Sequence, residues 1–459
     1  MGVARSIDHW FGIEEQQSTI QREVVGGLTT FATMSYIIFV QPTVLTSIGM
    51  PFASVFVATC LSAALASILM GLVARYPVAL APAMGENFLF AFTICGPVAI
   101  GGMGFSWQAG LAIVFISGLL FVALSLFKFR ERIIGVLPHC LKHSIGPAIG
   151  FLIAFIGLQW GGVVVLSNAT MVTVGDLHRG LPLLTLLTTL AIVIMASWRI
   201  RGAILIGIIA SAAIGILTGL IPPDTTPVER SYETFFALDF SSLLTQWDKA
   251  LIAIGLLFFL DLFDTVGTLV GVGTRAGLMR DDGTLPRAGR AFFCDAVGTC
   301  AGALFGTSTV SSYVESASGV AAGARTGLAA VVTGLCFLAA ISVGGLIKIV
   351  GVDVGPAFYG EDSGAFVAMY PAVAPALIVV GFFMMAPLRK IAWDDLTEGV
   401  PAFLTIAMMV GGYSITEGIS LGAISFVILK TAAGRAKQVH PAMYLIAAAL
   451  ALRYLLAAS

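Results

Sequence analysis

The sequence predicts an all-α polytopic membrane protein with fourteen transmembrane segments, arranged as two inverted seven-segment repeats. Three observations lead to this fold class. Of the 459 residues, 58% are hydrophobic and only 11% are charged, whereas ordinary soluble domains carry roughly 25% charged residues. Apolar runs long enough to cross a bilayer recur along the whole chain. A polar stretch at residues 222–249 divides those runs into two sets of seven.

The composition also narrows the function classes. So few polar groups cannot cover the surface of a cytosolic enzyme or a nucleic-acid-binding protein of this length. The net charge is −1, from 24 basic and 25 acidic residues, so no nucleic-acid partner is expected. The six cysteines form no Cys-x-x-Cys pair, and we expect them to be small core residues without a metal or disulfide role.

Apolar runs bounded by charged residues, proline or glycine place the individual spans. In the first repeat, residues 21–221, they fall near residues 21–45, 51–73, 86–98, 108–127, 136–160, 182–198 and 203–221. In the second repeat, residues 250–432, they fall near residues 250–273, 290–306, 312–323, 327–347, 370–387, 400–413 and 416–430. Residues 1–20 form a cytoplasmic N-terminal segment, and residues 222–249 an external linker. Residues 433–459 form a cytoplasmic or interfacial helix, and its apolar part, 441–457, either spans the membrane or lies on its surface.

The distribution of basic residues sets the expected orientation in the cell membrane. With the N-terminus in the cytoplasm, most lysines and arginines fall at inner ends, and the outer loops hold only Arg179, Arg230, Lys249 and Lys348. The positive-inside rule therefore supports an even number of spans, with both termini cytoplasmic.

Two of the spans are too short to cross the hydrocarbon core as continuous helices. Residues 86–98 and 312–323 each have fewer than the roughly 20 residues required, and each follows an irregular stretch, YPVALAPAMG or FGTSTVSSYV. Each is the third span of its half, and because seven is odd the two cross in opposite directions. Broken segments at matching positions of an inverted repeat indicate the binding site of a transporter.

Acidic residues within apolar spans are costly and are therefore functional candidates. Four stand out: Glu86, Asp261, Asp264 and Glu315. Asp261 and Asp264 are three residues apart and share one helix face. Because burial and a neighbouring carboxylate both favour the protonated form, at least one should bind and release a proton near neutral pH. The alternative is that these acids cap broken helices or accept hydrogen bonds from serine and threonine.

Other polar and aromatic residues accompany the acids at the two broken segments. Asn87 offers an amide at the first, with Glu86 as its partner or as a helix cap. Thr309 at the second lines a pocket or satisfies broken backbone, Ser316 is a candidate substrate-binding residue, and Phe88 is a candidate for stacking on a flat ligand. By contrast, three aspartates near arginines are expected to be solvated or salt-bridged at the inner face: Asp281, Asp282 and Asp295.

Several stretches of the chain resemble the nucleobase–cation symporter superfamily, in particular its azaguanine-type branch of adenine/guanine/hypoxanthine permeases. The resemblance runs from about residue 20 to residue 457. It is carried by GGLTTFATMSYIIFVQP, APAMGENFLFAFT, GFLIAFIGLQWGG, LDLFDTVGTLVGV, FGTSTVSSYVESASGVAAGARTGLAA and WDDLTEGVPAFLTIAMM. The fourth and fifth of these stretches are together highly specific.

The resemblance implies a core domain of segments 1–4 and 8–11, residues 21–135 and 250–347. It implies a gate domain of segments 5–7 and 12–14, residues 136–221 and 370–432, and homodimerisation as a family property. Segments 3 and 10 each contain a short strand followed by a half-helix, with the substrate held between them.

When the motifs are matched, the two substrate-binding acids of the family correspond to Asp261 and Glu315. The family's second essential acid of segment 8 corresponds to Asp264, and its segment-3 asparagine corresponds to Asn87. The chain departs from the pattern in two places. It has Glu86 and Phe88 where purine permeases commonly read G-L-N-A, and Gln41-Pro42 where they read Asn-Pro. The first departure affects the expected base preference, and the second is expected to leave it unchanged.

These observations predict a secondary active transporter that imports hypoxanthine, guanine or adenine by proton symport, with alternating access between core and gate. Asp261, Asp264 and Glu315 are the expected proton-coupling residues. No cofactor is expected beyond the coupling proton, and sodium coupling is left open because carboxylates and carbonyls also bind sodium.

Three alternatives were weighed against this function. A uracil or xanthine permease would share the fold. An anion exchanger or channel of related architecture is disfavoured by the intramembrane acids. A membrane-embedded enzyme is disfavoured because Asp261 and Asp264 lie on one helix, whereas a membrane aspartic protease takes its pair from two.

Overall fold

The computed structural model describes residues 8–98, 102–126, 138–167, 170–223, 231–280, 285–344, 352, 354 and 369–457. The predicted fold class is confirmed, because each of the fourteen predicted segments has a helical or strand-and-helix counterpart within these ranges. We number the segments 1–14 in chain order and the strands β1–β4.

The first repeat begins with a segment 1 made of two helices. Segment 1 comprises Ile20–Met34 and Ile37–Thr46, and segment 2 comprises Phe52–Leu69 with a continuation to Ala74. Segment 3 comprises β1 (Leu80–Pro82) and the helix Met84–Phe88 with a continuation to Ile94, and segment 4 is Trp107–Leu126. Segments 5 to 7 are His139–Trp160, Gly180–Ser197 and Ala203–Leu217.

The second repeat follows a short linker helix, Ser241–Thr245. Segments 8 to 11 are Trp247–Arg275, Ala288–Phe305, β4 (Val310–Ser312) with Ser316–Ala321, and Gly327–Ala340. Segments 12 to 14 are Ala374–Phe383, Leu396–Gly411 and Ile415–Ala432, and a last helix spans Pro441–Ala457.

Seven helices in the described part of the chain are long and apolar enough to cross a membrane, and three shorter apolar helices accompany them. Many large apolar side chains on these helices are exposed, such as Leu217 at 86% and Leu251 at 65%. A protein in water would bury such surface, whereas a bilayer covers it.

The two broken segments meet as a two-stranded antiparallel sheet. In β1 and β4, Leu80 lies opposite Ser312 and Pro82 lies opposite Val310. The antiparallel pairing agrees with segments that cross in opposite directions, and it satisfies backbone groups that a bilayer could not. A second pair, β2 (Val164–Ser167) and β3 (Met171–Val174), was not predicted from the sequence. Its Val-rich composition favours strands, and it lies between segments 5 and 6.

Close backbone approaches join the two repeats. A Cβ added at Gly71 of segment 2 would lie 2.4 Å from the carbonyl oxygen of Gly327 in segment 11. A Cβ added at Gly26 of segment 1 would lie 2.5 Å from the Cβ of Ala324. Segments 1 and 2 therefore pack tightly on segments 10 and 11, as small residues allow in membrane proteins. Segment 5, in turn, packs on segments 12 and 13. The boundaries of the core and gate domains remain predictions.

An ion-pair cluster joins segments 13 and 14. The buried Lys430 Nζ lies 2.8 Å from Glu398 Oε1 and 3.8 Å from Asp395 Oδ2, and Arg435 lies 2.7 Å from the same Asp395 oxygen. Asp395 caps segment 13. Hydrogen bonds from Thr397, helped by the two cations, lower the pKa of Asp395. Asp395 therefore stays ionised at neutral pH, and its ion pairs join the start of segment 13 to the end of segment 14.

Candidate functional site

The sheet formed by β1 and β4 sets the positions of both half-helices. Beyond the strands, Ala83 N–H donates to Thr309 O (2.9 Å) and Tyr313 N–H donates to Ala79 O (2.9 Å). Ser316 Oγ accepts from Ala79 N–H at 3.0 Å. Ser316, a predicted substrate-binding residue, therefore has its hydroxyl engaged with the backbone before β1. That contact matches the alternative reading, in which hydroxyls satisfy broken backbone.

Segment 8 presents two carboxylates beside β4, as its three-residue spacing predicts. Asp261 is 1% exposed, and its Oδ2 accepts from Thr299 at 3.1 Å. Asp264 lies on an accessible part of the helix, and its Oδ2 accepts from Ser311 at 2.8 Å. One acid of the pair is therefore enclosed while the other faces accessible space.

A third carboxylate, Asp295, belongs to the same cluster, and the prediction that it is solvated or salt-bridged was wrong. It is 0% exposed, its Oδ2 accepts from Thr265 (2.8 Å) and its Oδ1 accepts from Ser312 (3.0 Å). Segment 9 begins at Ala288, so Asp295 lies two turns inside the helix, away from the arginines that precede it. Asp281 and Asp282 lie outside the described residues.

Hydroxyl groups connect the carboxylates into one network. Ser311 and Thr265 each donate their single proton to a carboxylate, Asp264 and Asp295 respectively, and their oxygens lie 3.2 Å apart. When Asp264 is protonated and donates to Ser311, Ser311 can donate to Thr265, which completes a hydrogen-bonded chain from Asp264 to Asp295. The Asp295 side chain also interacts with that of Asp261. No lysine or arginine pairs with these acids in the described part of the chain, so their charge can be neutralised only by bound protons or by a bound cation.

Glu315 immediately precedes the half-helix of segment 10. Its Oε1 accepts from the phenol of Tyr36 at 2.6 Å, across 279 positions of sequence. Tyr36 lies at the junction of the two helices of segment 1 and is 1% exposed. Tyr36 was not predicted from the sequence, where its one signal is a phenol next to the apolar residues IIFV.

Glu86 lies in the first turn of the other half-helix and is 4% exposed. Its carboxyl group accepts from its own backbone N–H and lies within electrostatic reach of Asp264 and Asp295. The structure therefore agrees with a helix-capping contact and also places this extra acid beside the cluster.

Asn87 is held by a residue of segment 1. Its Nδ2 donates to Gln41 Oε1 at 2.7 Å, and Gln41 Nε2 donates to Thr307 Oγ1 (2.9 Å) and Ser308 Oγ (2.8 Å). Segments 1, 3 and 10 therefore meet at one buried carboxamide.

Six buried side-chain oxygens among the described residues lack a hydrogen-bond partner, and three of them belong to this region: Asn87 Oδ1, Asp261 Oδ1 and Thr309 Oγ1. Buried polar groups are normally paired, so unpartnered oxygens next to a broken-helix junction are candidates for ligand contacts. They come from segments 3, 8 and 10, the segments to which the predicted site belongs.

The aromatic candidate has a different environment. Phe88 is 0% exposed and stacks on Phe92, with ring centroids 5.7 Å apart. In this structure its ring therefore contacts another phenylalanine within the core, and its stacking on a ligand stays a prediction.

Comparison with known proteins adds independent information. A family model described as "Permease family" matches residues 21–358. The chain is 43% identical over 447 residues to the guanine/hypoxanthine permease PbuG of Bacillus subtilis, covering 95% of this chain and 96% of that protein. It is 38% identical over 462 residues to the adenine permease AdeQ of Escherichia coli, covering 98% and 96%.

Solved structures show a related architecture at low sequence identity. The transmembrane domain of the cyanobacterial bicarbonate transporter BicA matches with a TM-score of 0.59 at 14% identity, covering 89% of this chain and 97% of that domain. At this identity the likeness shows the fold alone.

Proposed function

Because the chain belongs to the permease family whose model spans residues 21–358, and is an integral membrane transporter rather than an enzyme, we propose that it imports purine nucleobases by proton symport. Relatives named as guanine/hypoxanthine and adenine permeases, matched over nearly their full length, support the purine class. Both termini are proposed to be cytoplasmic.

The observation that carries the proposal is the network of intramembrane carboxylates at the junction of the broken segments. Asp261, Asp264 and Asp295 are bonded to hydroxyl groups, and three buried oxygens nearby remain unpartnered. Carboxylates and an amide oxygen accept hydrogen bonds from the N–H groups of a base. The same carboxylates can take up a proton, which couples binding to the proton gradient.

The proposed cycle follows from the positions of these groups. A proton reaches Asp264, the accessible member, and the hydroxyls of Ser311 and Thr265 connect it to Asp295. The base binds between the two half-helices, with Asp261, Glu315 and Asn87 accepting its N–H groups. The core then moves against the gate, and base and proton leave on the inner side.

The deciding experiment is uptake of labelled hypoxanthine into cells that lack their own purine carriers. Saturable uptake that a protonophore abolishes is the expected result. Competition with adenine, guanine, xanthine and uracil ranks the bases and separates a purine carrier from a uracil or xanthine carrier. Uptake that depends on sodium and ignores the protonophore would replace the proposed coupling ion.

Replacing Asp295 with asparagine is expected to reduce uptake about 10-fold or more, since a hydrogen bond to a charged group is worth roughly 1.5–3 kcal/mol. The amide keeps one oxygen for Thr265 or Ser312 but cannot exchange a proton with the cluster. Uptake is measured between pH 5.5 and 8 at matched protein levels in the membrane. A variant with the uptake and pH dependence of the wild type would remove Asp295 from the proton path.

Replacing Glu86 with leucine is expected to change the order in which bases compete, while uptake of at least one base persists. The reason is that Glu86 adds a buried carboxyl group within electrostatic reach of Asp264 and Asp295. Competition curves for the five bases provide the measurement, and Glu86→Gln, which keeps the shape, serves as the control. An unaltered competition order would leave Glu86 with its capping contact alone.

A further inference from the structure

Gln41 occupies a buried position between three segments, and its hydrogen-bonding capacity is used by protein groups. Both of its N–H groups are directed at hydroxyls of segment 10, Thr307 and Ser308, and its oxygen accepts from Asn87. Gln41, Thr307 and Ser308 are all 0% exposed. A carboxamide has two N–H donors, so Gln41 has none left for a ligand. It can influence a ligand only through its neighbours.

The neighbour that can transmit such an influence is Asn87. Its Nδ2 is held by Gln41 Oε1 at 2.7 Å, with Met84 Sδ at 4.0 Å as a second, weaker contact. Its Oδ1 is buried and has no partner. Leaving a buried acceptor unsatisfied is unfavourable, and the arrangement persists because the other end of the amide is fixed. The bond to Gln41 thus determines which atom of Asn87 is left unpartnered.

We propose that Gln41 is a specificity-determining positioning residue, which orients the Asn87 amide so that Oδ1 accepts an N–H group of the bound base. The proposal deepens the proposed function and rests on it. The departure from Asn-Pro to Gln41-Pro42 was expected to leave base preference unchanged, but the structure connects it directly to Asn87. A base that offers an N–H donor to this oxygen is favoured over one that presents a ring nitrogen lone pair there, since two acceptors cannot bond.

The position of Gln41 explains how one residue can serve this role. It is followed by Pro42 within the second helix of segment 1, Ile37–Thr46. The same segment contributes Tyr36, which bonds Glu315 of segment 10. Segment 1 therefore holds one polar group at each half-helix, Asn87 through Gln41 and Glu315 through Tyr36. Neither Gln41 nor Tyr36 is among the residues predicted to bind the substrate.

The test is a double-mutant cycle on base affinity. Gln41→Leu is expected to raise KM for the preferred base about 10-fold, with kcat changed much less, as expected when a contact made equally in the ground and transition states is lost. Gln41→Leu should also reduce the difference in KM between hypoxanthine and adenine. The ring N1 is a hydrogen-bond donor in hypoxanthine and an acceptor in adenine. In the Asn87→Leu background, Gln41→Leu should have no further effect on KM, because residues that act through one another are not additive.

The matched control is Thr43→Val on the same helix. Thr43 is also 0% exposed, but its hydroxyl donates only to Phe39 O of its own helix, at 2.8 Å. It should leave KM and the order of bases unchanged. Gln41→Asn, whose shorter amide reaches only one side of the bridge, should give an intermediate KM, and it takes the place of Gln41→Leu if that variant does not reach the membrane.

The outcomes separate this proposal from the one it rests on. Wild-type protein that takes up no nucleobase would refute the proposed function itself. Wild-type uptake with an unchanged KM in Gln41→Leu would refute the role of Gln41 alone. Additive effects of Gln41→Leu and Asn87→Leu would do the same, because they would show that Gln41 acts without Asn87.

Discussion

Replacing Asp261 with asparagine is expected to reduce purine uptake at least about 100-fold, as loss of roughly 3 kcal/mol of binding to a charged group would cause. The substitution keeps the shape of the side chain and an oxygen that can accept from Thr299. It removes the charge and the ability to exchange a proton. Uptake of labelled hypoxanthine, normalised to protein in the membrane, provides the measurement.

A matched acid-to-amide control is available outside the membrane. Asp239 in the linker before segment 8 accepts from Ser241 and Ser242, and these hydrogen bonds lower the pKa of Asp239 to about 2. It is therefore ionised throughout the range in which uptake is measured. Asp239→Asn should transport like the wild type. If Asp261→Asn also took up hypoxanthine at the wild-type rate, the proposed site would be refuted.

Replacing Glu315 with glutamine is expected to have a comparably large effect, at least about 100-fold, for the same loss of a charged partner. Glutamine keeps an oxygen that can accept from Tyr36, so the bond between segments 1 and 10 can persist. A loss of uptake would therefore reflect the missing charge or proton and not a displaced half-helix. Initial uptake rates between pH 5.5 and 8, with and without a protonophore, provide the measurement.

Tyr36→Phe separates the role of Glu315 from that of its partner. It removes the phenol but leaves the carboxylate, so uptake should fall less than in Glu315→Gln and remain sensitive to the protonophore. Binding of hypoxanthine by purified Glu315→Gln then distinguishes a role of Glu315 in proton coupling from a role in base recognition. Retained binding without uptake would assign Glu315 to proton coupling, and lost binding would assign it to base recognition. Equal uptake by Glu315→Gln and wild type would contradict both.

The sequence was informative where a property is local. Apolar runs located the fourteen segments, and the short lengths of the spans at residues 86–98 and 312–323 identified the two segments that are broken. The spacing of Asp261 and Asp264 placed both within one turn of a helix, and both lie within the continuous helix Trp247–Arg275. Each of these features depends on residues within about 20 positions of one another, which is the range over which helical periodicity acts.

The missed features depend on contacts between distant residues. Asp295 lies within the predicted span 290–306 but close to Arg287 and Arg290, and its burial depends on partners from other segments, Thr265 of segment 8 and Ser312 of β4. Gln41 and Tyr36 bond residues at the start of segment 10 that are more than 260 positions away, and Gln41 also bonds Asn87, 46 positions away in segment 3. Their importance follows from the packing of segment 1 on segment 10, which no local pattern reports.

The pairing of β1 with β4 has a consequence for how the protein is made. The two strands belong to different repeats, and Leu80 lies opposite Ser312. At roughly 5–20 residues per second, synthesis of the chain between them takes on the order of 10–50 s. During that interval β1 has entered the membrane without its partner, with backbone groups that lipid cannot satisfy. The backbone groups of β1 that pair with β4 therefore need water or another protein partner until the second repeat has been translated.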